Sequence, residues 1–314
     1  MLDFQTLVQI IGMQPAALCR DWVSRLPLKG AVNTENLFRA AEQEAAEHGS
    51  IEAAIDRRRE AAIARRQGAV AVVPVRGVIM PRPNIYELVG WGTSVQTIVA
   101  MTRAAVADPE VKAVVQAFDS PGGSSAGLPE GWAELYALRG EKPIVAVAEH
   151  LMASAAYWLA SAADEIDAAP SALVGSIGVF MLHVEFAQML EAEGIKPTFI
   201  HAGQYKVEGN PFEPLTEEAQ AHFQSLVDDT YRQFTADASK GRGVRSATIQ
   251  GPAFGEGRVL TATAAQGGGM IDKVRSLSQT LEAYGLQRNE PDRGRGASAI
   301  ERRRRSLALL EQGL

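Results

Sequence analysis

The sequence predicts an α/β domain with a mostly parallel, covered sheet, and three observations lead to that class. Runs of β-branched and apolar residues alternate along the chain with segments whose apolar residues recur at helical spacing. The candidate strands are apolar almost without interruption, which is typical of parallel strands covered on both faces. The composition changes at Gly68, where the first of these runs begins. In such sheets, functional loops lie at the carboxyl ends of the strands.

The first predicted strand spans residues 69–79, where Pro74 and Gly77 punctuate a valine-rich run. Short apolar runs predict further strands at residues 111–118, 143–148, 165–168, 172–179 and 196–200. Helical spacing predicts helices at residues 93–107, 127–138, 154–163, 186–193 and 216–240. The last helix is the longest, and Thr216 is the residue expected to cap it.

The chain divides into three predicted parts. Residues 68–286 form the α/β domain, residues 1–67 a helical N-terminal extension, and residues 287–314 a basic linker with a short C-terminal helix. The extension is rich in Ala, Glu and Arg, and it is either a solvated pair of helices or an arm that contacts a neighbouring subunit or larger assembly. The arginine run at 302–305 is either a solvated tail or a contact for an acidic partner surface.

Composition excludes several classes. A hydrophobic fraction of 46% permits a sizeable core, and a net charge of −6 argues against nucleic-acid binding. Cys19 is the only cysteine, so neither an intramolecular disulfide nor a cysteine metal cluster is expected, which fits a reducing cytoplasm. The apolar stretch at residues 7–18 is too short and too interrupted to span a bilayer. We expect a soluble protein without cofactor, metal or membrane span.

Two candidate segments follow predicted strands. A turn of sequence Ser120-Pro121-Gly122-Gly123 lets backbone amides point outward, where they can stabilise an oxyanion, although such a segment is more often only a turn. Ser154 stands among small residues at a strand-to-helix junction. A nucleophile there gains the helix dipole and the amide of Ala155, although an ordinary capping serine would occupy the same place.

Two further residues could assist such a serine. Lys206 lies in a loop of a chain in which arginine greatly outnumbers lysine, and a buried lysine, unlike arginine, can lose its charge and act as a base. The alternative is a surface lysine. Ser176 is the one polar residue of an apolar strand, so its hydroxyl needs a hydrogen-bond partner, either the lysine amine or a backbone carbonyl.

Together and in this order, the four segments resemble the signal peptide peptidase A / phage protein C family of serine peptidases. The matching elements are the Ser-Pro-Gly-Gly segment, the small residues around the serine, Gly-Ser-Ile-Gly-Val at 175–179, and a lysine ahead of Pro-Phe-x-Pro-Leu-Thr. The segment Glu-Gly-Arg-Val-Leu-Thr at 256–261 resembles the closing motif of that family. The resemblance covers roughly residues 68–285.

The resemblance implies a residue for each role in a serine peptidase. It implies Ser154 as the nucleophile, Lys206 as the base, Ser176 as the residue that orients the lysine, and the amides of Gly122 or Gly123 and of Ala155 as oxyanion donors. The intervals from Ser154 to Ser176 and to Lys206 suit the single-copy bacterial form. Ala155 and Ala156 stand where the family often has glycines, which narrows the site slightly.

The fold implied is a Clp/crotonase-like spiral, which raises rival chemistries. Clp-type peptidases use Ser, His and Asp, with the histidine on the strand that matches residues 175–179; none stands there, and His150 and His183 lie outside it. Crotonase-like acyl-CoA enzymes use carboxylate bases, but no Asp or Glu occupies the Ser154 segment. A catalytically silent structural subunit is the remaining alternative.

Two biological roles share the serine–lysine chemistry. One is processing of scaffold and capsid proteins during phage head assembly, and the other is hydrolysis of signal peptides or other small peptides. The predicted lack of a membrane span, the helical extension and the arginine-rich tail favour the phage or prophage role. We expect a polypeptide substrate, a homo-oligomer that could share its site across a ring, and a location in the cytoplasm or the assembling phage head.

Overall fold

In the computed structural model, residues 16–18, 34–55, 57 and 70–285 are described. Within them, nine strands form a single sheet, so the predicted α/β class is confirmed. The strands are β1 (Ala16–Leu18), β2 (Val70–Met80), β3 (Gly92–Ser94), β4 (Ala113–Ser124), β5 (Ile144–Ala153), β6 (Glu165–Ala168), β7 (Leu173–Gly175), β8 (Val259–Thr261) and β9 (Lys273–Val274).

The central strands run parallel in the order β3-β2-β4-β5-β6-β9. Strand β5 changes partner along its length: Val145–Ala148 pairs with β6, whereas Leu151–Ala153 pairs with β7. Strand β8 then pairs antiparallel with β7, and β1 pairs antiparallel with the end of β4. The carboxyl end of β5 therefore lies between β4 and β7, and β8 follows β7 in this part of the sheet.

Helices surround this sheet. They are α1 (Thr34–His48), α2 (Ile85–Leu88), α3 (Val95–Ala107), α4 (Leu128–Ala137), α5 (Ala155–Ala160), α6 (Ala187–Ala192), α7 (Glu217–Arg242), α8 (Ser246–Ile249), α9 (Ala262–Gly267) and α10 (Leu277–Ala283), with a 3-10 segment at Pro252–Gly257. The largest apolar cluster joins the sheet to α3, α4, α5 and α7, and Phe118, Trp132 and Trp158 are among its members. None of the described helices is long and apolar enough to cross a membrane.

Local sequence signals set several helix starts. The hydroxyl of Ser94 accepts a hydrogen bond from the Thr97 N–H at 3.1 Å and so begins α3. Thr216 caps α7 in the same way, with the Ala219 N–H as donor at 3.2 Å, which confirms the predicted cap. Helix α7 ends at Arg242, and the next residue, Gly243, adopts the left-handed conformation that glycine tolerates best.

The structure corrects several predicted elements. The Ser120–Gly123 segment is not a turn: β4 continues through it, and its end pairs with β2 and β1. The predicted strand at 196–200 does not form, and Ile200 is 99% exposed and pairs with none of the described strands. The predicted strand at 172–179 is confined to β7. Within the predicted helical extension at 1–67, Ala16–Leu18 forms strand β1, and the predicted linker and C-terminal helix at 287–314 lie outside the described residues.

Candidate active site

Ser154 occupies the sharp bend between β5 and α5. Its backbone angles are φ 57° and ψ −119°, a strained combination for a residue with a Cβ. Its N–H donates to the Gly175 carbonyl at 2.7 Å, and its own carbonyl accepts from the Trp158 N–H at 2.9 Å. A serine on a strained strand-to-helix turn is the arrangement that presents a nucleophile in many hydrolases.

The Ser154 hydroxyl is fully buried and has no hydrogen-bond partner among the described residues. An unsatisfied buried polar group costs free energy, so it calls for a functional explanation. A strained backbone and an unpaired hydroxyl at one position both oppose stability. Their coincidence at Ser154 is typical of a residue retained for chemistry.

Helix α5 follows Ser154 directly and holds it in place from within the core. All of its residues are fully buried, and it is shorter than the predicted helix at 154–163. The Tyr157 hydroxyl donates to the Met270 carbonyl at 3.0 Å, and the Trp158 indole N–H donates to the Asp237 carboxylate at 2.9 Å. The Trp158 ring also stacks on Phe234 at a centroid distance of 4.6 Å.

Asp237 is a supporting residue that the sequence analysis missed. It is buried on the inner face of α7, between Phe234 and Gly241. Burial raises the pKa of its carboxyl, although hydrogen bonds from Gln233 and Trp158 act in the opposite direction. The signal was present in the sequence, because Asp237 falls in the stripe formed by Phe234, Ala238 and Gly241, where an acidic residue is rarely buried without a partner.

Ser176 lies beside Ser154 at the end of the neighbouring strand, and its role in orienting the lysine stays a prediction. Gly175 pairs with Ala153, so the two serines directly follow paired residues of neighbouring strands. Ser176 also has a positive φ, 55°, and its N–H donates to the Arg258 carbonyl at 2.8 Å. Glycine is required at 175, because a Cβ there would lie 2.6 Å from the Arg258 carbonyl oxygen and φ is 132°.

Gly122 and Gly123 lie on the strand adjacent to the serine. The Ser120 hydroxyl donates to the Gly77 carbonyl at 2.6 Å and accepts from the Gly122 N–H at 3.2 Å. The Gly122 amide is therefore already engaged, and an oxyanion would have to replace that bond. Gly123 is needed for close packing, since a Cβ there would lie 1.9 Å from the Ile79 carbonyl oxygen. Ala155 opens α5, where backbone amides have no acceptor within the helix.

Lys206 is not brought to Ser154 in this single chain. It lies in an exposed turn, and its N–H donates to the Gly203 carbonyl at 3.2 Å, whereas the Ser154 hydroxyl has no hydrogen-bond partner in the part of the chain that the structure describes. Its role as a base therefore stays a prediction. The surrounding segment exposes a set of large apolar side chains, namely Phe180, Leu182, Met189, Ile195, Ile200, Tyr205 and Phe212.

Neither candidate histidine contacts the serine. The His150 ring forms an exposed pair with Asp119, with 3.2 Å between Nδ1 and Oδ2. The His183 Nε2 lies 3.4 Å from the Asn210 carbonyl oxygen. The geometry therefore gives no support to a Ser-His-Asp arrangement.

Comparison with known proteins adds to this geometry. The family model of peptidase family S49 matches residues 137–289, a range that contains Ser154, Ser176 and Lys206. Over this matched range, the chain belongs to peptidase family S49. The mostly parallel sheet flanked by helices fits the Clp/crotonase-like fold expected of S49 peptidases.

Similar proteins come from phages and from plants. The head-tail preconnector protein GP5 of Enterobacteria phage P21 is 31% identical over 237 residues, which is 76% of this chain and 47% of that protein. The capsid assembly protease C of Escherichia phage lambda is 30% identical over 212 residues, 68% of this chain and 48% of that protein. The chloroplastic serine protease SPPA of Arabidopsis thaliana is 27% identical over 223 residues, which is 71% of this chain and 33% of that protein. The S49 chain thus spans about half the length, or less, of these curated relatives.

Proposed function

We propose that this chain is a serine endopeptidase with Ser154 as nucleophile and Lys206 as general base. The observation that carries the proposal is Ser154 itself, a strained, buried serine with an unpaired hydroxyl on a strand-to-helix bend, within the range that matches family S49. A hydroxyl held at such a cost is best explained by reaction with a bound carbonyl.

The mechanism follows from these roles. Neutral Lys206 takes the Ser154 proton as the serine oxygen bonds to the carbonyl carbon of a peptide bond. The amide of Ala155, together with the amides of Gly122 and Gly123, stabilises the negative charge on the carbonyl oxygen. The lysine then gives its proton to the leaving amine as the carbon–nitrogen bond breaks. Water releases the acyl group by the same path, and Ser176 orients the lysine.

For Lys206 to reach Ser154, the exposed apolar segment around the lysine has to be covered. Ile195 and Ile200 are 56% and 99% exposed in the single chain, and an exposed apolar patch of this kind is typical of an interaction surface. We propose that the chain forms a homo-oligomer that buries this segment and carries Lys206 to a Ser154 hydroxyl, of the same or a neighbouring copy. Size measurement in solution, with Ile200→Asp expected to dissociate the assembly, tests this.

The favoured role is processing of capsid or scaffold proteins in a phage or prophage, in the host cytoplasm or the assembling head. Support comes from the relatives named as a head-tail preconnector and a capsid assembly protease. The second candidate is a cellular signal-peptide or small-peptide peptidase, which the similarity to chloroplastic SPPA favours. Portal and capsid genes beside this gene would favour the first role, and their absence the second.

A peptidase assay separates the proposal from its rivals. We expect the purified protein to hydrolyse a quenched fluorescent peptide library, and Ser154→Ala and Lys206→Ala each to abolish that hydrolysis. Lys196→Ala is the matched control, since Lys196 is exposed in the same surface segment and has no assigned role. Full activity in Lys206→Ala would remove the lysine from the mechanism. Hydrolysis of acyl-CoA instead of peptides would indicate a crotonase-like enzyme, and no hydrolysis of either a structural subunit.

A further inference from the structure

The carboxyl end of β4 has one edge that the central strands leave open. One edge of β4 pairs with β2 as far as Gly123. The other edge pairs with β5, but only as far as the Ser120–Met152 pair, because β5 ends at Ala153 and the chain bends at Ser154. Beyond Ser120, this second edge has no partner from the central sheet.

Strand β1 occupies that open edge. Ala16 pairs with Ser124, Ala17 with Gly123 and Leu18 with Gly122, all antiparallel. A strand has two edges, and β2 already holds one of them at Gly123, so β1 lies on the edge that faces β5. Two residues beyond the Ser120–Met152 pair stand Gly122 on β4 and Ser154 after β5. Strand β1 therefore runs along the same side of β4 as the serine.

The direction of β1 also brings its carboxyl end toward the serine. Since the pairing is antiparallel, the segment enters at Ser124 and reaches Gly122 at Leu18. An extended polypeptide that adds to an open sheet edge is bound by its backbone, and its scissile carbonyl would approach Ser154 along this path. In the structure with this edge filled, the Ser154 hydroxyl is fully buried.

We propose that the Ala16–Leu18 segment holds the substrate position and competes with peptide substrates for the β4 edge. The proposal rests on the proposed peptidase function and names its substrate class: extended polypeptide segments that pair antiparallel with Gly122–Ser124. Because the Ala16–Leu18 segment belongs to the same chain, it lowers the fraction of molecules whose β4 edge is open to substrate. The apparent KM rises by the factor by which this fraction falls, and kcat is unchanged.

Proline substitutions in the full-length chain test the competition. Alternate residues of an antiparallel strand direct their N–H to the partner, and proline has no N–H. One of Ala16→Pro and Ala17→Pro therefore removes a ladder hydrogen bond, while the other serves as its control. We expect at least one to lower the KM for a quenched fluorescent peptide several-fold at constant kcat. Ala17→Val, which favours a strand, should not lower it.

A second readout does not depend on hydrolysis. In a Ser154→Ala background, hydrogen exchange of the peptide spanning residues 120–126 reports whether the β4 edge is covered, and the proline that lowers KM should speed this exchange. An unchanged exchange rate in both proline variants would overturn the proposal, as would faster exchange with an unchanged KM. If a proline speeds exchange but the proteins that keep Ser154 hydrolyse no peptide, the peptidase function is refuted, while the covering of the β4 edge by β1 still stands.

Discussion

Trp158 donates its indole N–H to the Asp237 carboxylate at 2.9 Å and thereby ties α5, the helix behind the serine, to α7. We expect Asp237→Ala to lower the free energy of unfolding by about 2 kcal/mol, because a buried donor loses its acceptor, and to lower kcat by loosening α5. Asp237→Asn keeps an acceptor and should retain most activity. Urea unfolding and peptide hydrolysis measure the two effects, and equal stability of Asp237→Ala and wild type would contradict them.

The pH dependence of that same carboxyl has a defined sign. Burial raises its pKa in the folded protein above the value of about 3.8, so the folded state binds the proton more readily than the unfolded state. Stability from this group is present at low pH and declines as pH rises from about 4 through the raised pKa. The Asp237→Asn side chain does not titrate, so this variant does not lose stability as pH rises from about 4. We therefore expect its stability relative to wild type to improve over that pH range, as measured by urea midpoints at several pH values.

Arg242 and Asp272 form an ion pair in which the arginine side chain is buried and the carboxylate is partly exposed. The two guanidinium NH groups donate to the carboxylate at 2.8 and 2.9 Å, and the arginine side chain is 8% exposed. Asp272→Ala should cost about 2 kcal/mol, because it leaves the buried guanidinium without its carboxylate, and partial exposure of that carboxylate makes the loss smaller than for a fully buried pair. Asp229→Ala, which removes the partner of exposed Arg232, is the control and should change stability by about 0.5 kcal/mol or less.

The Asp272 carboxyl should also contribute to acid unfolding. Although burial alone would raise its pKa, hydrogen bonds from Arg242 and the Ile166 N–H hold it below the ordinary value. Stability from this group is present above about pH 4 and declines as pH falls through the depressed pKa. The stability difference between wild type and Asp272→Ala should therefore shrink in acid, and a difference that grew there would contradict the assignment.

Ser154 should be a destabilising residue. Ser154→Ala removes the unpaired hydroxyl and Ser154→Gly also relieves the positive φ, so each should raise the free energy of unfolding by about 1 kcal/mol while abolishing hydrolysis. Ser161→Ala is the contrast, since that buried hydroxyl donates to the Trp158 carbonyl and accepts from Trp132. It should lower stability. Thermal unfolding compares all three with wild type, and a loss of stability in both Ser154 variants would contradict the assignment.

Gly123 should be intolerant of even one methyl group. The Cβ of Gly123→Ala would stand 1.9 Å from the Ile79 carbonyl oxygen, so β2 and β4 must separate. We expect a loss of about 3 kcal/mol or more, as for an overpacked core. Gly178→Ala is the control, because its Cβ would meet only ordinary contact at 3.7 Å. Similar denaturation midpoints for the two variants would contradict the predicted clash.

The sequence predicted the features that depend on local signals. Apolar runs located the central strands, and small residues after one of them located Ser154 at a strand-to-helix junction. The continuation of β4 through Pro121 and Gly122 was not predictable, because these residues favour turns and it is pairing with β2 and β1 that keeps the strand extended. The partners of Ser176 and Trp158 come from segments remote in sequence, which local patterns do not report.

The position of Lys206 is a different case. The sequence motif around Lys206 could be recognised, but the distance from Lys206 to Ser154 depends on a surface segment with few contacts in the single chain. The pairing of Ala16–Leu18 with β4 was also not predictable, since a short apolar segment does not indicate with which remote strand edge it will pair.

The two hydrogen bonds that run from Ser154 to Gly175 and from Ser176 to Arg258 have a consequence for folding order. The bond from Ser176 to Arg258 joins segments that are far apart in the chain, and closing such a long loop is slow compared with forming helices. We therefore expect the reactive shape of Ser154 to be among the last features to appear as the chain folds. A chain still emerging from the ribosome, without Arg258, lacks the hydrogen bond that holds Ser176 beside Ser154. Under the proposed mechanism, we expect such a chain not yet to attack neighbouring proteins.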